Sequence, residues 1–227
     1  MVIAGTTERV FADAESQAAA AADRIAGAIG EDGGDLVLTG GSTPGPVYDL
    51  LSKRSLPWDR VRITLSDERW VPPDHADSNE RLVRERLLRG PAAAARFIPL
   101  KTGAPTPEAA VGTVAAALAA IRRPFSCVLL GMGDDGHIAS LFPGDAMDET
   151  LRPDGPDVVR PARAPNGTPR LSLTLAALLD SRLILVLIRG EAKRAVLRDA
   201  LAGAAPHLPI AALLRQARCP VEVFWAP

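Results

Sequence analysis

Short apolar runs alternate with longer segments of helical periodicity along most of the chain. The apolar runs, each predicted to form a strand, are RVFA (9–12), DLVLTG (35–40), RVRITLS (60–66), RFIPL (96–100), FSCVLLG (125–131), RLILVLIRG (182–190) and VEVFW (221–225). The segments predicted to form helices are 14–29, a segment that begins at Thr43, 79–89, 107–121 and 191–202. This alternation is typical of an α/β sheet whose strands are joined by helical crossovers.

The apolar runs are continuous rather than alternating, as from Leu183 to Ile188. Strands of this kind are buried on both faces, so the pattern predicts a mostly parallel sheet between two layers of helices, a three-layer α/β/α fold. The segment 153–170, PDGPDVVRPARAPNGTPR, is predicted to be a loop with a short strand at most, because Pro, Gly and Asn interrupt it. We interpret residues 1–227 as a single domain.

Composition narrows the class of function. The 227 residues are 47% hydrophobic and carry a formal net charge of −1, which argues against nucleic acid as a partner and favours a small-molecule ligand. Cys127 and Cys219 match neither paired metal-ligand spacing nor a disulfide framework, so a reducing, cytoplasmic location is expected. The N-terminal segment does not resemble a signal peptide, and no run of about 18 apolar residues predicts a membrane span.

Four polar clusters follow predicted strands, and we expect them to face one crevice, because ligands of parallel α/β sheets bind beyond the carboxyl ends of the strands. The first cluster is LTGGSTPGPVYDLL (38–51). Ser42 or Thr43 is predicted to cap the following helix, with Pro44 in its first turn. Free backbone N–H groups beside glycines favour a phosphate, although an ordinary Gly-rich turn remains the alternative.

The second cluster is SDERWVPPDHADSN (66–79). In an extended chain, Asp67 and Arg69 point to one side and Glu68 to the other. Arg69 can then bind an anionic ligand or stabilise an oxyanion. The alternative is a solvated, charged turn.

The third cluster is VLLGMGDDGHIASLFPG (128–144). Its glycines satisfy G-x-G-x-x-G formally, but Asp134 and Asp135 would lie beside a pyrophosphate and Pro143 allows only a short helix, so a dinucleotide site is not predicted. Instead, we interpret the glycines as a frame that presents His137 as a general base. The alternative is a structural histidine.

The fourth cluster is RLSLTLAALLDSRLILVLIRGEAKRAVL (170–197). Arg170 precedes a short predicted strand, and Lys193, one of three lysines, begins a predicted helix. Lys193 can reach a phosphate from the rim of the crevice, although a surface lysine is the alternative.

Taken together, LTGGSTP, SDERWVP…DSN, LGMGDDGHIASLFPG, RLSLT and GEAKRAVL resemble the 6-phosphogluconolactonase family in order and approximate spacing over nearly the whole chain. The related glucosamine-6-phosphate deaminases typically have Asn-Glu-Pro after a Phe and Asp-Glu-Tyr in place of Asp-Glu-Arg. This chain has Phe142-Pro143 and Arg69 there, so the resemblance favours the lactonases. It also implies a Rossmann-like sheet of the sugar-phosphate isomerase/deaminase type.

The resemblance implies hydrolysis of 6-phospho-D-glucono-1,5-lactone, a phosphosugar lactone, by a monomer that needs no cofactor and no metal. His137 would deprotonate the water, and Arg69 would stabilise the oxyanion or help to hold the substrate. Asp135 would orient His137, and Asp67 would orient Arg69. The expected phosphate-binding residues are Gly41, Ser42, Thr43, Arg170 and Lys193. The alternatives are a glucosamine-6-phosphate deaminase or isomerase on the same fold and a non-catalytic sugar-phosphate-binding domain. Asp134 has no predicted role.

Overall fold

The computed structural model describes residues 5–144 and 150–227. In chain order its strands are β1 (Thr6–Val10), β2 (Asp35–Leu38), β3 (Arg62–Leu65), β4 (Asp67–Arg69), β5 (Arg96–Phe97), β6 (Cys127–Gly131), β7 (Val159–Arg163), β8 (Pro169–Leu173), β9 (Ile184–Arg189) and β10 (Val221–Ala226). The helices with both ends in this part of the chain are α1 (Ala14–Ile29), α2 (Gly45–Leu51), α3 (Asn79–Arg86), α4 (Pro107–Leu118), α5 (Leu175–Leu179), α6 (Glu191–Ala202) and α7 (Pro209–Arg215). Short 3₁₀ helices cover Trp58–Arg60 and Gly90–Ala94.

The main sheet contains seven parallel strands in the order β1-β10-β9-β6-β2-β3-β5. Strands β2, β6 and β9 are buried along almost their whole length, because helices cover both faces of the sheet. The predicted three-layer α/β/α fold is therefore confirmed. None of the helices in the described part of the chain combines the length and apolar character needed to cross a membrane.

Helix α1 shows why the predicted helices form where they do. Asp13 accepts the backbone N–H of Ser16 at 2.8 Å and so caps the first turn. Alanine dominates the helix and has the highest helix propensity. The apolar residues recur at helical spacing, so that one face is buried against the sheet; its members are Ala18, Ala21, Ala22, Ile25 and Ile29.

The two edge strands of the main sheet differ most from their predicted bounds. Strand β1 begins earlier than the predicted run 9–12, because pairing with β10 starts at Thr6. Four of its five residues are exposed, so no apolar run marks them in the sequence. At the other edge, β5 keeps only Arg96–Phe97 of the predicted run 96–100.

A second, three-stranded antiparallel sheet has the order β4-β8-β7. Its presence corrects the prediction that 153–170 is a loop with a short strand at most, because this segment contains all of β7 and the start of β8. Arg170, expected to precede a strand, lies within β8. Pro161 lies in the middle of β7, and a proline within a segment argues against predicting a strand there. It is tolerated because β7 is an edge strand, where a residue without an N–H breaks no ladder.

The main sheet has a switch point between β2 and β6. Strands β3 and β5 lie on one side of β2, while β6, β9, β10 and β1 lie on the other. The loops that leave the carboxyl ends of β2 and β6 therefore diverge, and a crevice opens between them.

Candidate active site

A cavity of about 260 Å³ lies at this switch point. The predicted site residues that line it are Gly41, Ser42, Thr43, Asp67, Arg69, His137, Arg170 and Lys193. Asp135 is outside this lining and contacts the His137 ring. The four polar clusters thus converge on one crevice, as expected from their positions after strands.

The loop after β2 presents backbone and hydroxyl groups to the cavity. Gly41 has φ +93°, in the region that favours glycine. The prediction that Ser42 or Thr43 caps α2 is wrong: Pro44 occupies the N-cap position, and no side chain caps this helix. Because both hydroxyl residues precede the cap, they lie along the cavity rather than against the helix end.

Tyr48 in α2 attaches this loop to the end of β2. Its fully buried phenol donates to the carbonyl oxygen of Thr39 at 2.6 Å and accepts the N–H of Thr39 at 3.2 Å. Burial raises the pKa of Tyr48 above its ordinary value, so the phenol remains a donor. Two hydrogen bonds therefore fix the backbone at Thr39, just before residues 41–43.

His137 lies in the loop after β6 and is paired with Asp135. The Nδ1 atom of His137 is 2.5 Å from Oδ1 of Asp135, and the same oxygen accepts the backbone N–H of His137 at 3.1 Å. A carboxylate at Nδ1 favours the tautomer that carries its proton there, so Nε2 is left as a proton acceptor. The imidazole also packs on Phe142, with ring centroids 4.7 Å apart.

The glycines of this loop allow the close approach of His137. The N–H of Gly133 donates to the carbonyl of His137 at 2.9 Å. A Cβ atom at Gly133 would lie 2.2 Å from Nδ1 of His137 and 2.6 Å from Oδ1 of Asp135. Gly136 has φ +77°, which a side chain would strain. Both glycines are thus required by the geometry of the Asp135–His137 pair.

Arg69 and Arg170 lie directly opposite each other on β4 and β8. Burial lowers the pKa of Arg170, Asp67 opposes this shift, and the neighbouring charge of Arg69 reinforces it. The Nε atoms of both arginines are buried and have no partner among the described residues. Unpaired buried donors are costly, so two adjacent guanidinium groups of this kind favour an anion in the cavity.

Asp67 does not orient Arg69, contrary to the expectation from sequence. Its Oδ2 atom accepts the hydroxyl of Ser140 at 2.6 Å and lies 3.5 Å from Nη1 of Arg170, while Oδ1 accepts the hydroxyl of Ser66 at 3.0 Å. The pairing in the second sheet explains the difference, because Asp67 faces β8 and the loop after β6. Asp67 therefore connects Arg170 to the loop that carries His137.

Sequence reasoning missed three buried residues beside the arginines, Glu68, Asn79 and Ser140. Glu68, expected on the opposite side of the strand from Asp67 and Arg69, is fully buried rather than part of a solvated turn. Asn79 begins α3 and lines the cavity. Each lies inside a polar cluster, and that position is the only signal for it in the sequence.

Lys193 lies in the first turn of α6, where the sequence predicts it. Its Nζ atom is 3.9 Å from Oδ1 of Asp134, a residue without a predicted role, whose side chain is 84% exposed. An ion pair this long and this exposed contributes little stability. In residues 5–144 and 150–227, no three His, Cys, Asp or Glu side chains are grouped so that they could hold a metal ion.

The sequence profile described as "Glucosamine-6-phosphate isomerases/6-phosphogluconolactonase" matches residues 8–225. The chain belongs to this family. The matched range includes every residue of the cavity lining.

Relatives in this isomerase/lactonase family align over most of their length. A protein of Rhizobium meliloti (strain 1021) named 6-phosphogluconolactonase is 42% identical over 226 residues, which is 96% of this chain and 97% of that protein. A 6-phosphogluconolactonase of Caulobacter vibrioides is 47% identical over 193 residues, or 83% of this chain and 81% of its own. The crystal structure of a 6-phosphogluconolactonase from Shewanella baltica OS155 has a TM-score of 0.93 and 37% identity, with 100% of both chains covered. The chain thus shares both sequence and fold with these proteins.

Proposed function

We propose that this protein is a carboxylic ester hydrolase that converts 6-phospho-D-glucono-1,5-lactone to 6-phospho-D-gluconate, the second step of the oxidative pentose phosphate pathway. The observation that carries the proposal is one cavity lined by the paired imidazole of His137 and by three cations, Arg69, Arg170 and Lys193. The lactone has an ester carbonyl and a remote phosphate. Its hydrolysis therefore needs a base, a stabiliser of the oxyanion and cationic anchors for the phosphate. Relatives with the same fold are named for this activity.

His137 is the proposed general base. With Nδ1 held by Asp135 at 2.5 Å, Nε2 accepts a proton from a water molecule as the water oxygen attacks the lactone carbonyl carbon. When the tetrahedral intermediate collapses, the bond between this carbon and the ring oxygen breaks, and the imidazolium returns the proton to the ring oxygen. The product acid then ionises, so neither a covalent intermediate nor a cofactor is needed.

Replacing Gly133 with alanine tests the position of His137. The added methyl group overlaps the imidazole and the Asp135 carboxylate, so the ring must move. A displacement of about 1 Å at a catalytic group costs up to about 10²-fold in rate, and we expect a fall in kcat of this order. Steady-state kinetics measure the loss. Gly112→Ala is the matched control, because a Cβ there meets nothing within 4 Å; equal activity of the two variants would contradict the assigned position.

Arg69 is the proposed stabiliser of the oxyanion. Its Nη1 atom donates to Oδ1 of Asn79 at 2.8 Å and to the carbonyl of Asp77 at 2.5 Å, so one edge of the guanidinium is held in place. Its Nε atom is buried and unpaired within the described chain. A preorganised, partly desolvated cation of this kind stabilises negative charge that develops in the transition state.

The phosphate is proposed to bind Gly41, Ser42, Thr43, Arg170 and Lys193. Gly41–Thr43 supply backbone and hydroxyl donors, and the two side chains supply positive charge at the same cavity. These contacts form in both the ground state and the transition state, so their loss is expected in KM more than in kcat.

Replacing Lys193 with alanine is expected to raise KM by about 10-fold with little change in kcat, because one charge-assisted contact of about 1.5 kcal/mol is lost equally in both states. Initial rates over a range of lactone concentrations separate the two constants. Arg198→Ala removes a charge from the same helix at an exposed position outside the cavity and should behave as wild type. An unchanged KM in Lys193→Ala would remove this residue from the phosphate site.

Replacing Asp134 with asparagine is expected to lower KM by about twofold at low ionic strength, because a carboxylate beside Lys193 competes with the phosphate. The difference should shrink at high salt, where exposed charges are screened. Asp32→Asn is the matched control, since Asp32 is exposed and precedes β2, at the opposite end of that strand from the cavity. A salt-independent change, or a higher KM, would show that Asp134 has a different role.

The proposed activity is tested by following 6-phosphogluconate formation from the lactone above its spontaneous hydrolysis. Ammonia release from glucosamine 6-phosphate would instead favour the deaminase alternative. Binding of phosphosugars without turnover of either substrate would favour a non-catalytic binding domain.

A further inference from the structure

Glu68 joins β4 to the first turn of α3. It is fully buried, and its Oε1 atom accepts the backbone N–H groups of Arg69 and Asn79, both at 2.8 Å. Its Oε2 atom accepts the N–H of Glu80 at 2.8 Å and the hydroxyl of Ser78 at 3.0 Å. The first N–H groups of a helix have no partner within it, and a carboxylate both satisfies them and suits the helix dipole. Glu68 therefore fixes the start of α3 against the strand that carries Arg69.

Asn79, the first residue of α3, is held in one orientation. Its side chain is almost fully buried; Nδ2 donates to the carbonyl of Asp67 at 2.8 Å, and Oδ1 accepts Nη1 of Arg69 at 2.8 Å. Because the amide has a separate donor and acceptor and both are used, a flipped amide would lose both bonds. Asn79 is thus a rigid bridge between the backbone of β4 and the guanidinium of Arg69.

The end of β2 leaves room for this bridge. A Cβ atom at Gly40 would lie 1.7 Å from Oδ1 of Asn79, so any side chain there would displace the amide oxygen. The backbone at Gly40, strand β4 and helix α3 therefore meet at the Asn79 side chain.

The contact with Asn79 holds the guanidinium of Arg69 at the wall of the cavity. Nη1 is held, whereas Nε is buried without a partner among the described residues. Elsewhere in the chain, Arg62 uses its Nε–Nη2 edge to hold both oxygens of Asp35, at 2.6 Å and 2.9 Å. Arg69 has no carboxylate partner of this kind among the described residues, so its positive charge is available to an anionic ligand in the cavity.

We propose that Asn79, fixed by Glu68, is a positioning residue that holds the guanidinium of Arg69 in the orientation needed to stabilise the oxyanion at the reacting carbonyl. The inference rests on the proposed lactone hydrolysis and adds to it a residue that acts only through Arg69. It predicts that the effects of replacing Asn79 and Arg69 on kcat are not additive.

The test is a double-mutant cycle with full-length protein. Asn79→Leu removes the acceptor at similar volume, and we expect kcat to fall by about 10-fold or more with KM within about twofold. In the Arg69→Ala background, the same change should cause no further loss. In the Lys193→Ala background, the loss should persist in full, because no hydrogen bond or ion pair found among the described residues joins Lys193 to Asn79.

Chemical rescue supplies a second measurement. Guanidinium ion should restore part of the activity of Arg69→Ala, since Oδ1 of Asn79 and the carbonyl of Asp77 can still hold it, and should fail to restore Arg69→Ala/Asn79→Leu. If Asn79→Leu does not fold, Asn79→Asp replaces it, because this variant keeps the acceptor and loses the Nδ2 donor. The fall in kcat caused by Asn79→Asp should also disappear in the Arg69→Ala background.

Additive effects of Asn79→Leu and Arg69→Ala on kcat would overturn the positioning role while the proposed function stands. Equal rescue of Arg69→Ala and Arg69→Ala/Asn79→Leu by guanidinium ion would do the same. A wild-type protein without lactonase activity would overturn the proposed function and this inference with it.

Discussion

Replacing His137 with alanine is expected to lower kcat for lactone hydrolysis by about 10²–10⁴-fold. The change removes the nitrogen that accepts the proton of the attacking water, while the cations that bind the phosphate remain. KM should therefore change much less than kcat. Initial rates above the spontaneous rate, measured over a range of lactone concentrations, give both constants.

His207→Ala is the control for this experiment. His207 is exposed and does not line the cavity, so this variant should match wild type. If His137→Ala also matched wild type, His137 would not be the base, even though the assignment to the family would be unaffected.

Replacing Arg69 with methionine is expected to lower kcat by about 10²–10³-fold. Methionine retains an unbranched, apolar stem but cannot donate to the oxyanion, so the loss should appear in the transition state. It also leaves Oδ1 of Asn79 without its donor, which is expected to reduce the free energy of unfolding by about 1–3 kcal/mol. Kinetics and urea unfolding of the same preparation separate the two effects.

Arg60→Met is the matched control, because Arg60 is exposed and precedes β3, at the opposite end of that strand from the cavity. It should leave both kcat and stability close to wild type. A rise in KM alone for Arg69→Met would show that Arg69 binds substrate and transition state equally and does not stabilise the oxyanion.

The buried core of the fold is predictable from the sequence, whereas its edges are not. Strands such as β6 and β9 are continuous apolar runs, because both of their faces pack against helices. Strand β7 contains Pro161 and lies at an edge, so neither composition nor periodicity marks it. The sequence therefore does not predict the second sheet, which sets Arg69 opposite Arg170.

The convergence of the candidate site residues is predictable for a different reason. Parallel strands place their carboxyl ends at one edge of a sheet, so polar clusters that follow β2 and β6 must lie near each other. The order of strands and loops along the chain is sufficient to predict this proximity. Gly41, Arg69, His137 and Lys193 can therefore be assigned to one crevice from that order alone, and all four line the cavity.

The sequence by itself determined the α/β class, the family and the approximate membership of the cavity, because these follow from local patterns and from the order of motifs. Only the tertiary structure decided which side chains form hydrogen bonds with each other. Ser140 meets Asp67 across 73 residues of sequence, and Asn79 rather than Asp67 holds Arg69. Hydrogen bonds depend on distances of a few tenths of an ångström between segments far apart in the chain. Such distances arise from the packing of the two sheets and α3, and no local pattern encodes them.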